Sequence, residues 1–353
     1  MGFAEILGQQ SVVGLLQKAL SRERLPHAFL FTGMQGVGKL LVALTLSKAV
    51  NCEQTVAGDC CDHCLSCRKA TSGNHPDISL IESDGSFIKI EQIRSLKRSL
   101  RFRPLEGRCR VTVIQNAPNM KAEAANALLK VLEEPPPDNL LILTATESAA
   151  LIPTIVSRCL HLRFQPLAAS DLTAHLTQTH SLPPERARLI AGLAGGSLSR
   201  AEELVDEGKI ARRHKVLEAV ANLHQFKAAD LIATAEAWRG GNTDFVQDLE
   251  WLKTWTRDLL IYNLKVVAGG DLINSDFDNK IATAAPQFCN QHLIEVFEFL
   301  CTAQEAISYN INKRLCLETL LLRLHSLVTT NEDSASYSLP GLGKGIFART
   351  FYE

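Results

Sequence analysis

No apolar run in this chain approaches the roughly 20 residues needed to cross a bilayer, and Met1 to Gln10 holds no basic stretch followed by an apolar one. These absences speak against a membrane span and against export, and the expected location is the cytoplasm. Charge of one sign is also missing: 37 Lys and Arg stand against 38 Asp and Glu, a formal net charge of −1. The overall balance therefore gives no sign of stand-alone nucleic-acid binding. Ten cysteines in a reducing compartment argue against a disulfide framework. What remains is a chain of 353 residues, 46% apolar and 21% charged, which fits a globular protein of two or three domains.

From Glu5 to about Pro166 strand-like and helix-like segments alternate, the rhythm of an α/β domain with a parallel sheet. The apolar run Ala28 to Thr32 reads as a strand, followed by glycines and a helix over Leu40 to Ala49. Arg110 to Ile114 and Leu140 to Thr144 are further strands, and Asn119 to Glu133 is a helix stopped by Pro135-Pro136-Pro137. Beyond Pro166 the spacing turns helical over Leu172 to His180 and Glu185 to Leu193, and Gly195-Gly196-Ser197 opens another helix through Ala201 to Leu204. The expected division is an α/β domain over 1–166, a small helical lid over 167–207, an all-α domain over 208–328 and a polar tail over 329–353. Leu315, Leu317, Leu320, Leu321 and Leu324 give the third of these a broad apolar face.

Gly33-Met34-Gln35-Gly36-Val37-Gly38-Lys39-Leu40 follows a strand and precedes a helix. In that setting glycines let backbone N–H groups wrap phosphates, while a lysine meets the β/γ charge. Gly33, Gly36, Gly38 and Lys39 are thus candidate nucleotide-binding residues for ATP. Two components are lacking. Leu40 stands where a Ser or Thr hydroxyl would hold Mg²⁺, and the strand Val111 to Ile114 ends in Gln115-Asn116 where acidic residues belong. Amides carry no charge for a metal and accept no proton from water at neutral pH. The pattern is that of a retired ATPase site. Paired metal-binding carboxylates of the kind that phosphodiester synthesis uses are missing too.

Five cysteines crowd between Cys52 and Cys67, and Cys52, Cys61, Cys64 and Cys67 follow C-x8-C-x2-C-x2-C. That spacing can place four thiolates around one tetrahedral Zn²⁺, a structural site with no open position. Buried free thiols are the alternative, but Gly58-Asp59-Cys60-Cys61-Asp62-His63 is too polar for a core strand. Cys60 and His63 compete as ligands by position alone. Arg94, Lys97, Arg98 and Arg101 are spaced to share one helix face beside Ile93, Leu96 and Leu100. That face could meet DNA phosphates or an acidic surface, but solvated basic faces are common.

Several of these motifs occur together with Leu25-Pro26-His27-Ala28, Ala124 to Pro136 (AANALLKVLEEPP) and Ser157-Arg158-Cys159. The combination resembles the bacterial clamp-loader AAA+ subunits of DNA polymerase III over nearly the whole chain. Asn312 to Glu318 is similar to the helical collar by which such subunits oligomerise. Within that family the motor subunits keep a complete phosphate loop and an Asp-Glu pair, so Leu40, Gln115 and Asn116 place the chain with the delta-prime type. The helix after Gly196-Ser197 carries Ser199 where motor subunits tend to have a sensor arginine, with Arg200 one position on. The resemblance makes Arg158 an arginine finger reaching into a neighbour's ATP site. It implies gamma/tau-type motor subunits, a delta-type subunit, the sliding clamp and primed DNA as partners. Two other readings stand beside it. One is an autonomous P-loop ATPase using Lys39 with an acidic group that the motifs do not locate: Glu123, Glu133 and Glu134 are available carboxylates, but the last two end a helix that the family motif accounts for; the other is a zinc-ribbon nucleic-acid-binding module.

Overall fold

The computed structural model describes residues 2–238, 242–265, 272–306 and 313–329. It divides into two compact units, Met1–Ala187 with Ala194–Glu202, and Arg188–Leu193 with the chain from Glu203 onward. The stretch expected as a lid is distributed over both units.

The first unit is built on five parallel strands, β1 (Ala28–Thr32), β2 (Ile78–Ile81), β3 (Arg110–Ile114), β4 (Asn139–Ala145) and β5 (Leu160–Arg163). Their order across the sheet is β2-β3-β4-β1-β5. β1 and β3 are buried along their full length, as expected where helices cover both faces of a parallel sheet. Alternate residues sort the two faces. Phe29, Phe31, Val111, Val113 and Ile142 share one cluster with Leu16 of α1 (Gln10–Ser21) and with Val42, Ala43 and Leu46 of α2 (Lys39–Val50). Leu30, Ile114, Leu141 and Leu143 share the other with α4 (Ile90–Ser99), α5 (Ala122–Glu133) and Ile155 of α6 (Pro153–Val156). A short helix, α3 (Leu65–Thr71), lies between α2 and β2 in the chain.

Two local readings need correction. The helix expected from Asn119 begins at Ala122, because Pro118 sits in a separate 3-10 turn over Ala117–Asn119 and Met120 is extended. α4 ends at Ser99, so Arg101 lies in the turn that follows rather than on the helix face with Arg94, Lys97 and Arg98.

That turn is fixed by a buried ion pair. Arg110 at the head of β3 meets Asp77 at 3.1 Å, and the carboxylate also accepts from the backbone N–H groups of Leu105, Glu106 and Gly107 at 2.8, 2.8 and 2.9 Å. Burial raises the Asp77 pKa, but those three N–H groups and the guanidinium outweigh it and bring the carboxyl down to about 2. Arg110 in turn donates to the carbonyls of Ser99, Phe102 and Arg103.

The second unit is helical: α10 (Glu207–Ala221), α11 (Ala228–Ala237), α12 (Asn242–Leu264), α13 (Asp278–Ala284), α14 (Asn290–Ala306) and α15 (Lys313–Thr329). Leu217, Trp251, Trp255, Val296, Phe299 and Leu320 are buried. Arg213 is fully buried and forks onto Asp276 at 2.6 and 2.9 Å and onto Asn274 at 2.6 Å. Leu317, Leu320, Leu321 and Leu324 form the expected apolar face of α15, whereas Leu315 is 38% exposed on its outer side. Between β5 and α10 in the chain come α7 (Ala169–His180), α8 (Pro184–Ala194) and α9 (Leu198–Glu203), divided between the two units. Thr329 closes α15, and the remainder of the expected tail, 330–353, lies outside the described residues. Among the described residues no helix is long and apolar enough to cross a membrane.

Asp77 ties stability to pH. Its folded pKa lies below the unfolded value near 3.9, so its contribution is present above about pH 4 and is lost as pH falls towards 2, on the order of 2 kcal/mol in all. Asp77→Asn is expected to cost about 3 kcal/mol at pH 7, where it orphans the Arg110 charge, and clearly less at pH 2.5. Urea midpoints of both proteins at the two pH values check this; an equal cost at both would contradict it.

Candidate functional site

The carboxyl ends of β1, β3 and β4 open on the same sheet edge, where open parallel sheets bind their ligands. After β1 the chain enters the glycine loop, with Gly33 N donating to Thr146 O at 3.0 Å. Gly36 has φ +80 and sits under the start of α9: a Cβ there would lie 2.1 Å from Ser197 Oγ and 3.0 Å from Ser199 Cβ. Its carbonyl accepts from Leu198 N at 2.9 Å and Ser199 N at 3.3 Å, so the loop and the first turn of α9 are joined. Close packing as well as φ therefore requires glycine at this position. Ser199, at the position of the expected sensor arginine, faces the loop, and Arg200 N donates to Ser197 Oγ at 3.2 Å.

Lys39 opens α2 with only 8% of its surface exposed. Its ammonium is turned onto the loop itself, 2.5 Å from Gly33 O and 2.7 Å from Met34 O. Burial pulls its pKa down to about 8, which leaves it mostly charged at neutral pH. Leu40 packs partly buried against the core cluster beneath the loop. At the end of β3, Gln115 N donates to Ile81 O at 2.9 Å, while its side-chain Oε1 is buried without a hydrogen-bond partner. Asn116 adopts φ +50, its N–H bonded to Thr144 Oγ1 at 3.0 Å. No hydroxyl or carboxylate side chain is supplied by these three positions.

The cysteine cluster runs from just after α2 into α3, where Cys64 is the N-cap and Cys67 lies in the first turn. The sulfurs of Cys52, Cys61, Cys64 and Cys67 all lie within 4.8 Å of one another, and Cys61 and Cys67 are 4.0 Å apart. Four thiolates around a zinc ion at about 2.3 Å stand roughly 3.8 Å from each other, so this set fits a tetrahedral metal. Backbone N–H groups of Cys61, Cys64 and Cys67 donate to the sulfurs of Cys52, Cys61 and Cys64 at 3.3, 3.4 and 3.4 Å. Burial opposes ionisation of Cys61, but N–H groups of Cys64 and His63 and neighbouring thiols outweigh it and bring its pKa down to about 6.

Spacing left Cys60 and His63 as competing ligands, and the geometry separates them. His63 is exposed and engaged elsewhere, Nδ1 with Cys61 O at 2.6 Å and Nε2 with Gln54 Oε1 at 3.0 Å. Cys60 is directed towards Asp62, 3.8 Å from Oδ1.

The module is fastened to the rest of the unit by polar contacts. Asp59 accepts from Phe3 N and Ala4 N at 3.0 and 3.3 Å. Buried Lys48 of α2 pairs with Asp62, and Ser66 Oγ joins Asn51 O at 2.7 Å to His75 Nε2 at 3.1 Å.

Arg158 follows α6 and is half-exposed. One terminal nitrogen meets Glu133 Oε1, at the end of α5, at 2.9 Å, and the other donates to Thr154 O at 3.0 Å and Ser157 Oγ at 3.3 Å. Glu133 also lines a cavity of about 380 Å³ with Lys97, Arg101, Lys130 and Glu134. Arg94 and Arg98 border the adjoining surface depression. The Glu133 contact of Arg158 is a pairing that sequence reasoning missed. No local spacing signals it, because the two residues come from separate elements.

Comparison with known proteins fits this geometry. Residues 8–168 match the family described as DNA polymerase III, delta subunit, and residues 207–326 match its C-terminal counterpart. The DNA polymerase III subunit delta′ of Bacillus subtilis is 33% identical over 90% of this chain and 96% of its own length. That of Pseudomonas aeruginosa is 30% identical over 85% and 92%. The tau subunit of Bacillus subtilis is 26% identical over 91% of this chain, which spans 61% of that longer protein. Two matched segments in chain order and near-full-length similarity to delta′ subunits establish the family: the chain belongs to the delta-prime subunits of the DNA polymerase III clamp loader.

Proposed function

We propose that this clamp-loader subunit does not hydrolyse ATP itself and instead supplies Arg158 in trans to the nucleotide site of a neighbouring motor subunit. One observation carries this reading: Leu40, Gln115 and Asn116 replace the hydroxyl and both carboxylates of a hydrolytic site at once, on an otherwise intact strand-loop-helix frame. Without those groups the edge can neither place Mg²⁺ nor polarise water. A guanidinium reaching a neighbour's γ-phosphate would neutralise charge that develops there, which such fingers do by about 10³-fold or more in rate. Its planar fork of donors suits phosphate oxygens. Support for Arg158 comes from its half-exposed guanidinium and its place in Ser157-Arg158-Cys159.

In this reading Gly33, Gly36, Gly38 and Lys39 are a degenerate nucleotide site, and Cys52, Cys61, Cys64 and Cys67 hold a structural Zn²⁺. The segment 167–207 acts as a lid and 208–328 as the collar. The partners are gamma/tau-type motor subunits, a delta-type subunit, the sliding clamp and, through the assembled complex, primed DNA, all in the cytoplasm. Relatives named tau, a delta′ relative of near-equal length and the matched C-terminal segment support this placement. Arg314, in the collar segment, pairs with Glu318 at 2.7 Å within α15 and with Glu236 of α11 at 3.5 Å; Asn312 lies outside the described residues.

Two outcomes follow. The purified chain should carry one zinc per molecule, and Cys64→Ser should lose most of it and lower the Tm by roughly 4 °C or more. Metal analysis with thermal unfolding checks this, and full metal retention in the variant would count against the four-thiolate site. In a reconstituted complex with clamp and primed DNA, Arg158→Ala should leave assembly intact but slow ATP turnover at the site it faces by about 10³-fold. The chain alone should be inert. Unchanged turnover in the assembled variant, or Lys39-dependent hydrolysis by the isolated chain, would defeat the reading.

A further inference from the structure

The Arg158–Glu133 pair places a carboxylate on the group that is to meet a neighbour's phosphates. The guanidinium is committed to its own chain at both terminal nitrogens, to Glu133 Oε1 at 2.9 Å on one and to Thr154 O and Ser157 Oγ on the other. A finger that kept Glu133 would carry a negative charge towards the triphosphate, and the two anions would repel. We infer that Glu133 is a restraining counter-ion, which holds Arg158 within the subunit until a neighbour's triphosphate displaces it. This rests on the trans role proposed for Arg158.

Three features fit exchange rather than permanent pairing. The side chains are 34% and 48% exposed, so solvent weakens the bond and phosphate can compete for it. Glu133 is the last residue of α5 and is followed by Glu134, so two carboxylates stand at the negative end of a helix dipole. Helix preference does not account for an acid there, whereas a cationic partner does. Finally, Glu133 lines the same cavity as Lys97, Arg101 and Lys130, so the carboxylate stays on a cavity wall that carries cations when Arg158 leaves. A purely structural ion pair has no need of that second set.

The test uses the complete complex with motor subunits, clamp and primed DNA, and measures ATP hydrolysis against ATP concentration. Wild type is compared with Glu133→Gln, Glu133→Ala, Arg158→Ala and the Glu133→Gln/Arg158→Ala double variant. Freeing the finger should lower the apparent KM for ATP about two- to fivefold, the range that a half-exposed ion pair represents, with kcat little changed. The shift should shrink at high salt and vanish in the Arg158→Ala background. Glu133→Ala provides the same reading should Glu133→Gln fail to assemble. A fall in kcat resembling that of Arg158→Ala would mean that Glu133 aims the finger, and would overturn the proposal. So would an unchanged KM, or a shift that persists without Arg158. Failure of the finger reading itself shows separately, as an Arg158→Ala complex with unaltered hydrolysis.

Discussion

The first unit depends on one constraint, the parallel register that seats β1 between β4 and β5 with apolar side chains on both faces. Parallel pairing brings the carboxyl ends of the strands to one edge, so the glycine loop, Gln115 and Thr144 converge there without any affinity for each other. Burial of β1 and β3 leaves no freedom to slip, since a shift by one residue would exchange the two apolar sets. In the proposed reading, this is how the frame of a nucleotide site is kept while its chemistry is replaced. Leu40 is accommodated by joining the core cluster beneath the loop, and the Gln115 and Asn116 backbones still bond to β2 and β4.

The cysteine module is a second, local organiser. Its insertion between α2 and β2 is too short and too polar to bury a core of its own, and the proposed ion on four sulfurs would supply that order. Its links to Phe3, Lys48 and Asn51 are polar and distributed. They make the module a clasp on the N-terminal segment and α2.

Much of this was legible in the sequence, for identifiable reasons. β1, β3 and the α2 helix follow directly from uninterrupted apolar runs and the glycine loop, and the cysteine cluster as a candidate metal site follows from its spacing. Periodicity was misleading where a single residue decides. Pro118 and the extended Met120 delay α5, the end of α4 at Ser99 removes Arg101 from its face, and Leu315 lies outside the buried stripe of α15. Spacing could not choose among Cys60, Cys61 and His63, because that choice is made by side-chain direction. The pairs Asp77–Arg110 and Glu133–Arg158 were illegible for a different reason. Each joins residues far apart in the chain, and charge complementarity alone names too many possible partners.

The inward turn of Lys39 has a consequence for the subunit's shape. With its ammonium bonded to Gly33 O and Met34 O, Lys39 has two of its three donors engaged within the loop. An incoming phosphate would have to draw the ammonium off these two carbonyls, at a cost to its own binding free energy. In the proposed reading that exchange would leave little of the binding free energy for reshaping the subunit.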